Sequence, residues 1–245
     1  VVIGASGGID SALVAAIMSE VGGRDRMSLV NMRTKYNSKM TKNAAFLLAH
    51  NIRCKFDSIE ITESLQLTQR QFDKQLTPFM MENVQARDRS SRVLAAMAAI
   101  RKGAFTCNAN KSEMTVGYST FYGDLAGFMA PIADLWKTQV YALARFFNAN
   151  IADIIPQDSL NVVPSAELSD AQDVTKGLGD PIQYPYHDCL FASWVERWDR
   201  ATPEDILRWY IDGKIEKELG YNGNVGDLFK TPKDFINDLE RWWNC

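Results

Sequence analysis

From Val1 to Ile61 the hydrophobic pattern switches repeatedly between the period of a strand and that of a helix. Val1 to Ala5 is apolar or small throughout, as in a strand buried on both faces, and Ser6-Gly7-Gly8-Ile9-Asp10-Ser11 interrupts it as a tight turn. Ala12 to Glu20 resumes with the small and apolar residues of a helix packed closely on a sheet. Met27 to Met32 reads as a second strand, Thr41 to Ala49 as a helix, and Cys54 to Ile61 as a third strand. This rhythm predicts a parallel sheet covered by helices.

Thr62 to Met80 is polar and reads as mobile or helical; a long helix follows from Glu82 to Ile100. Val84, Arg87, Leu94 and Ala98 cannot share one face of that helix, so its polar half needs a use. Ala104 to Asn108 is predicted as a fourth strand and Lys111 to Tyr118 as a helix start. Lys137 to Phe147 is an amphipathic helix with Val140, Leu143, Ala144 and Phe147 on one side. From Pro156 the character changes, with Pro164, Pro181, Pro185, Gly177 and Gly179 ahead of two tryptophan-rich helices. Thr202-Pro203 and Thr231-Pro232, each followed by acidic residues, are helix starts. The expected fold is α/β: an open, mainly parallel sheet flanked by helices, with ligands at the strand C-termini. Residues 1–170 form the expected core and residues 171–245 a helical extension packed by large rings. A chain whose first residues already form a core strand, without an initiator Met, reads as a piece of a longer protein.

Composition narrows the class without choosing a chemistry. With 46% hydrophobic residues over 245 positions, intrinsic disorder is a poor reading. A net charge of −3 supplies no broad basic surface for nucleic acid. The longest apolar run, Val93 to Ile100, is far short of the roughly 18 residues of a membrane helix, so no membrane association is expected. Cys54, Cys107, Cys189 and Cys245 lack paired spacing and stand beside only His50 and His187. That pattern argues against structural zinc and for free thiols in a reducing, cytoplasmic setting.

The turn after the first strand carries the chemistry. Ser6, Gly7, Gly8 and Ser11 bring backbone N–H groups and two hydroxyls to the first turn of a helix, where orphan donors and the helix dipole favour a phosphate. No Gly-Lys-Ser/Thr follows, and the third glycine of the dinucleotide fingerprint is missing. Asp10 would stand among phosphate donors, a costly place for an anion unless Mg²⁺ bridges it to the phosphates. A purely structural glycine turn is the alternative reading.

Ser-Gly-Gly-x-Asp-Ser resembles the pyrophosphate loop of the ATP pyrophosphatase superfamily, which includes GMP, asparagine and NAD synthetases. Glu82 to Arg89, Asn110-Lys111-Ser112-Glu113, Tyr122-Gly123-Asp124, Pro131 to Gln139 and Pro164 to Leu168 resemble the NAD synthetase family in order and spacing. Lys176 to Asp188 is similar to its bacterial glutamine-dependent type. The resemblance implies a Rossmann-like, adenine nucleotide alpha hydrolase-like fold. It also implies a reaction in which ATP adenylates the nicotinate carboxylate of deamido-NAD and ammonia displaces AMP. Asp10 and Glu113 would hold Mg²⁺, and Lys137 would follow the β and γ phosphates of ATP. Surface or helix-capping roles are the alternatives for Glu113 and Lys137. Arg33, with Lys35 and Tyr36, falls where the family contacts the adenylyl group, and Ser165 resembles a hydroxyl on the phosphate side of ATP. Asn83 and Arg87 point to deamido-NAD, Tyr118 and Phe121 to its pyridine ring, and Asp124 to substrate or ammonia, with ordinary packing as the alternative. Asp88, Arg89 and Arg92 read as solvated.

The same resemblance implies a homodimer and an ammonia-producing glutaminase domain that is not recognisable in this stretch. His187 reads as structural, and Cys107 as a core side chain rather than a glutaminase nucleophile. Three departures from the family stand out: Asn108-Ala109 in place of Thr-Gly, Arg33 in place of proline, and a charge at Asp88. Another adenylating amidotransferase, a thiolating enzyme or a noncatalytic ATP sensor are the competing functions.

Overall fold

In the computed structural model, which describes residues 1–72 and 75–245, the three expected strands lie side by side. Strand β1 (Val2–Gly4) pairs in parallel with β2 (Ser28–Arg33), and β2 with β3 (Lys55–Glu60), in the order β1-β2-β3. Helices α1 (Ile9–Gly22) and α2 (Lys39–Ile52) form the crossovers. Ser38 caps α2 by accepting from the Thr41 N–H, and Arg53 ends it in the left-handed region.

The fourth strand shrinks to one bridge, Val2 with Phe105. Beyond it the backbone turns to another partner: the Cys107 N–H donates to Met129 (2.9 Å) and Phe128 donates to Phe105 (3.0 Å). The polar stretch after β3 is helical in α3 (Thr62–Gln71) and again from Pro78; Asp73 and Lys74 lie outside the described residues.

The long helix also departs from expectation. It begins at Pro78, with Thr77 as cap, and runs as α4 (Pro78–Arg87), a π-helical segment (Asp88–Leu94) and α5 (Ala95–Ile100). The wider π turn changes the angular spacing, so Val93, Leu94, Met97 and Ala98 can pack on Val2, Val30 and Ile61 while Gln85 and Ala86 are buried elsewhere.

Two short helices, α6 (Lys111–Thr115) and α8 (Gln157–Asn161), flank the longer α7 (Lys137–Asn150). Val140, Ala144 and Phe147 of α7 join α1 and α2 in the main core, together with Leu160 of α8.

The extension holds five helices rather than two: α9 (Tyr184–Val195), α10 (Pro203–Ile211), α11 (Ile215–Leu219), α12 (Val225–Leu228) and α13 (Pro232–Trp243). Capping boxes at Thr202 and Thr231 start α10 and α13. Their apolar faces close a separate aromatic cluster around Tyr186, Phe191, Phe235 and Trp242, which Val116 and Trp136 of the core also enter. Among the described residues no helix is long and apolar enough to cross a membrane.

Candidate active site

The glycine turn is fixed by backbone geometry. Gly7 has φ +95°, and a Cβ there would lie 2.1 Å from the Thr41 carbonyl oxygen, so a side chain is barred twice over. Ser159 Oγ donates to the Gly7 carbonyl (2.8 Å) from behind. Ser6 Oγ accepts from the Gly8 N–H (3.1 Å), and Ser11 Oγ donates to the Gly8 carbonyl (3.0 Å). Gly8 is the N-cap of α1 and supplies no side-chain cap, so the first-turn N–H groups stand beside Asp10 without one.

Across from this turn lies a buried cation between two carboxylates. Lys137, the first residue of α7, is 2% exposed, with Nζ 2.5 Å from Asp10 Oδ2 and 3.3 Å from Glu113 Oε1. Burial opposes its charge, but Asp10 and Glu113 outweigh that and hold the ammonium protonated well above the ordinary lysine range. Asn110 organises both anions: its Nδ2 donates to Asp10 (2.9 Å), and it closes a capping box with Glu113 at the start of α6. Burial pushes Glu113 up to about 7; Lys137 pulls it down and Asp10 pushes it further up.

These groups open into a cavity of about 250 Å³ at the C-terminal ends of the strands. Of the residues singled out in the sequence, Ser6, Gly8, Asp10, Ser11, Glu113, Tyr118, Asp124, Lys137 and Ser165 line it. Gly7 sits behind the turn.

Arg33, Asn83, Arg87 and Phe121 are outside the lining. Thr120 Oγ1 donates to Asn83 (2.9 Å) and Arg87 Nε donates to the Phe121 carbonyl (3.1 Å), so this helix edge grips the loop carrying Tyr118 and Asp124. Phe121 is 73% exposed, and Arg33 Nε is buried without a protein acceptor. Ser165 Oγ donates to the Gln172 carbonyl (2.8 Å) and accepts from the Glu167 N–H (3.1 Å).

Several cavity groups received no binding role from the sequence. Arg89 lines the cavity instead of being solvated; it donates to Gln85 (3.3 Å) and is drawn down to about 10 by burial, against the pull of Glu167, Asp88 and Asp124. Its neighbours Asp88 and Arg92 pair with each other at 2.6 Å. Asp180 accepts from Tyr184 (2.7 Å) and Tyr118 (3.2 Å), and burial raises it above the usual carboxylate range. Glu167, 4% exposed, accepts from the Ser38 N–H (3.0 Å) and Thr41 Oγ1 (2.8 Å), docking the Pro164–Leu168 segment on the start of α2. Asn108 donates to the Gly4 carbonyl (2.9 Å), so the residue standing in place of a hydroxyl ties the floor of the cavity to β1. A motif search fixes on charged residues in sequence order and misses such partners, which only the fold brings near.

Neither His187 nor Cys107 faces this chemistry as a nucleophile or base. His187 Nδ1 accepts from the Gln183 N–H (2.7 Å), which leaves the proton on Nε2 to donate to Asp238 (2.9 Å). Cys107 is buried, with its thiol on the Asp124 carbonyl (3.3 Å) and raised by burial. Among the described residues no group of three or more His, Cys, Asp or Glu converges as a metal cage. The hard oxygens of Asp10 and Glu113, gathered on one cation, nevertheless suit Mg²⁺, an ion commonly held by one or two carboxylates with water and substrate phosphates completing its shell.

Comparison with known proteins points the same way as the turn. The chain is 36% identical over 214 residues to the glutamine-dependent NAD(+) synthetase of Aquifex aeolicus, covering 85% of this chain and 36% of that protein. It is 32% identical over 206 residues to the NH(3)-dependent NAD(+) synthetase of Fusobacterium nucleatum, covering 84% of this chain and 75% of that one. It thus spans little more than a third of the length of the glutamine-dependent relatives (35–36% for the first two).

Among solved structures, the glutamine-dependent NAD+ synthetase of Acinetobacter baumannii in complex with ADP matches with TM-score 0.63 and 27% identity over 89% of this chain and 39% of that one. The NMN synthetase of Francisella tularensis matches with TM-score 0.68 and 25% identity over 87% and 85%. The family model described as NAD synthase covers residues 1–228, and the chain belongs to that family.

Proposed function

We propose that this chain amidates deamido-NAD to NAD at the expense of ATP, with AMP and pyrophosphate as the other products. The observation that carries the reading is Lys137 Nζ seated between Asp10 and Glu113 beside the glycine turn. A carboxylate oxygen of the nicotinate attacks the α-phosphorus of ATP and pyrophosphate leaves. Ammonia then attacks the carbonyl carbon of the acyl adenylate, AMP leaves, and one proton is released.

The first step moves negative charge onto the pyrophosphate. The unpaired first-turn N–H groups of α1 and the Lys137 ammonium are the groups of this chain that meet that charge. Asp10 and Glu113 would hold Mg²⁺, which would supply neutralisation of the charge on the leaving pyrophosphate. Ser165 and Arg33 are proposed on the ATP side. Tyr118 and Asp124 are proposed on the deamido-NAD side, with Asn83, Arg87 and Phe121 holding the loop that presents them.

Residues 1–170 form the proposed synthetase core and residues 171–245 its helical extension, although Asp180 shows the extension reaching the cavity. The glutamine-dependent relatives support glutamine as the nitrogen source in a longer protein; a glutaminase domain, a cytoplasmic setting and a homodimer are proposed with it.

Product analysis tests the reading. The chain with Mg²⁺, ATP, deamido-NAD and ammonium should form NAD, AMP and pyrophosphate in equal amounts. Amidation of nicotinate mononucleotide alone, or ATP turnover without NAD, would replace it with a mononucleotide synthetase or another adenylating enzyme.

A further inference from the structure

We propose that Asp188, a carboxylate of α9 outside the cavity, is the positioning residue for both Lys137 and Glu113. Asp188 is 4% exposed and Ser112 fully buried, so the hydrogen bonds they make are shielded from water. Asp188 Oδ2 accepts from the Thr138 N–H (2.8 Å), and Oδ1 accepts from Ser112 Oγ (2.6 Å). The same Ser112 Oγ accepts from the Lys137 N–H (2.8 Å).

Lys137 and Thr138 are the first two residues of α7, whose leading N–H groups have no partner within the helix. Trp136, at the N-cap position, offers only an indole donor and cannot satisfy them. Asp188 therefore caps α7 from another element, and its charge sits where the helix dipole favours an anion.

This connection reaches both active groups by the shortest covalent route. Lys137 carries the ammonium and the N–H that Ser112 accepts. Ser112 is the residue before Glu113, on α6. One carboxylate thus fixes the start of α6 against the start of α7, and with it the spacing of Lys137 Nζ and the Glu113 carboxylate. The preceding residue, His187, bonds in another direction, to Asp238 of α13. Helix α9 therefore joins the aromatic cluster to the cavity through two adjacent residues with separable tasks.

Asparagine is a discriminating replacement. Its oxygen can still accept from Thr138, but its amide would then donate to Ser112 Oγ, which already accepts from Lys137, leaving the serine proton without its acceptor. In the full chain, Asp188→Asn and Ser112→Ala should each lower kcat about 10–100-fold, the scale of losses seen for groups that orient active-site ligands, with KM for ATP nearly unchanged. Without any substrate, hydrogen exchange at the Lys137 and Thr138 amides should accelerate while the later turns of α7 stay protected. Asp238→Asn, which leaves one acceptor oxygen for the two donors His187 and Trp242, should lower Tm and leave kcat unchanged.

An Asp188→Asn enzyme with wild-type kcat, a rise in KM without loss of kcat, or an equal kcat loss in Asp238→Asn would overturn the proposal. If Asp188→Asn does not fold, Ser112→Ala removes one atom and carries both measurements. The kinetic arm rests on the proposed synthetase activity. If the wild-type chain makes no NAD, that reading fails alone, and unchanged exchange at Lys137 and Thr138 is the result that sinks the positioning role.

Discussion

The cavity at the sheet edge and the cluster of C-terminal helices both bury large side chains, and they are built from opposite materials. Around the cavity, a 2% exposed lysine faces two carboxylates, with Asp180 and Arg89 nearby. In the cluster, Tyr186, Phe191 and Phe235 are essentially inaccessible, and Tyr210 stacks on Phe235 with centroids 4.0 Å apart. Its polar contacts lie at the margin of the rings, such as Trp242 Nε1 (3.0 Å) and His187 Nε2 (2.9 Å) donating to Asp238. Burying charge costs desolvation that pairing only partly returns, whereas buried rings stabilise directly. The difference teaches a division of labour: the aromatic cluster holds the frame within which a costly set of charges can be kept in place.

The largest expected effect falls on the cluster. Phe235→Ala should cost about 3–5 kcal/mol of unfolding free energy, the usual range for deleting a buried ring. It should leave kcat per folded molecule unchanged, because Phe235 touches neither α6 nor α7 through any polar contact. Denaturant unfolding and active-site titration together check this. A kcat loss as large as the stability loss would merge the two regions into one cooperative device.

The converse experiment is Lys137→Met. Removing a cation from developing charge costs about 10²–10³ in rate when a single stabilising donor is lost. Removing the cation alone leaves the Asp10 and Glu113 carboxylates facing each other unpaired, so stability should fall as well, by up to about 3–5 kcal/mol, and Tm with it. Steady-state kinetics beside a thermal melt makes the test, and wild-type turnover would remove Lys137 from the mechanism.

The same contrast explains what could be read from sequence. β1, β2 and β3 are legible to within a residue or two: β1 and the first half of β2 are short buried stretches rich in apolar side chains, while the more exposed β3 shows only alternation. The glycine turn is legible because its chemistry is local: Gly7 must be glycine for reasons within reach of its own backbone and one neighbouring carbonyl. Ala104 to Asn108 has strand composition but only one bridging residue, since its other partner is a loop distant in the chain, Phe128 for Phe105 and Met129 for Cys107. Arg89 turns inward through a π-helical segment, and a widened turn leaves no compositional trace. Asn110, Glu167, Asp180 and Asp188 act through partners distant in sequence, such as the 100 positions between Asn110 and Asp10. What stayed hidden is the wiring between motifs rather than the motifs.

The finest test uses the proton on Glu113. Its carboxyl is raised to about 7, so the folded chain keeps a proton there that the unfolded chain releases near the ordinary glutamate value of about 4.3. Below that lower value both states are protonated, and the group has no effect on the balance. As pH rises through the window up to about 7, ionisation favours the unfolded chain and the group's contribution to stability falls; above the window its cost is constant. Glu113→Gln removes the titration while keeping the shape. Its stability relative to wild type should therefore improve between pH 5 and 7, by about 1.4 kcal/mol per pH unit at most, and then level off. The Phe235→Ala difference, with no ionisable group involved, should be flat across the same range. A flat Glu113→Gln difference would mean that the cavity carries its second carboxylate without cost, and the contrast between the two regions would rest on Lys137 and Asp10 alone.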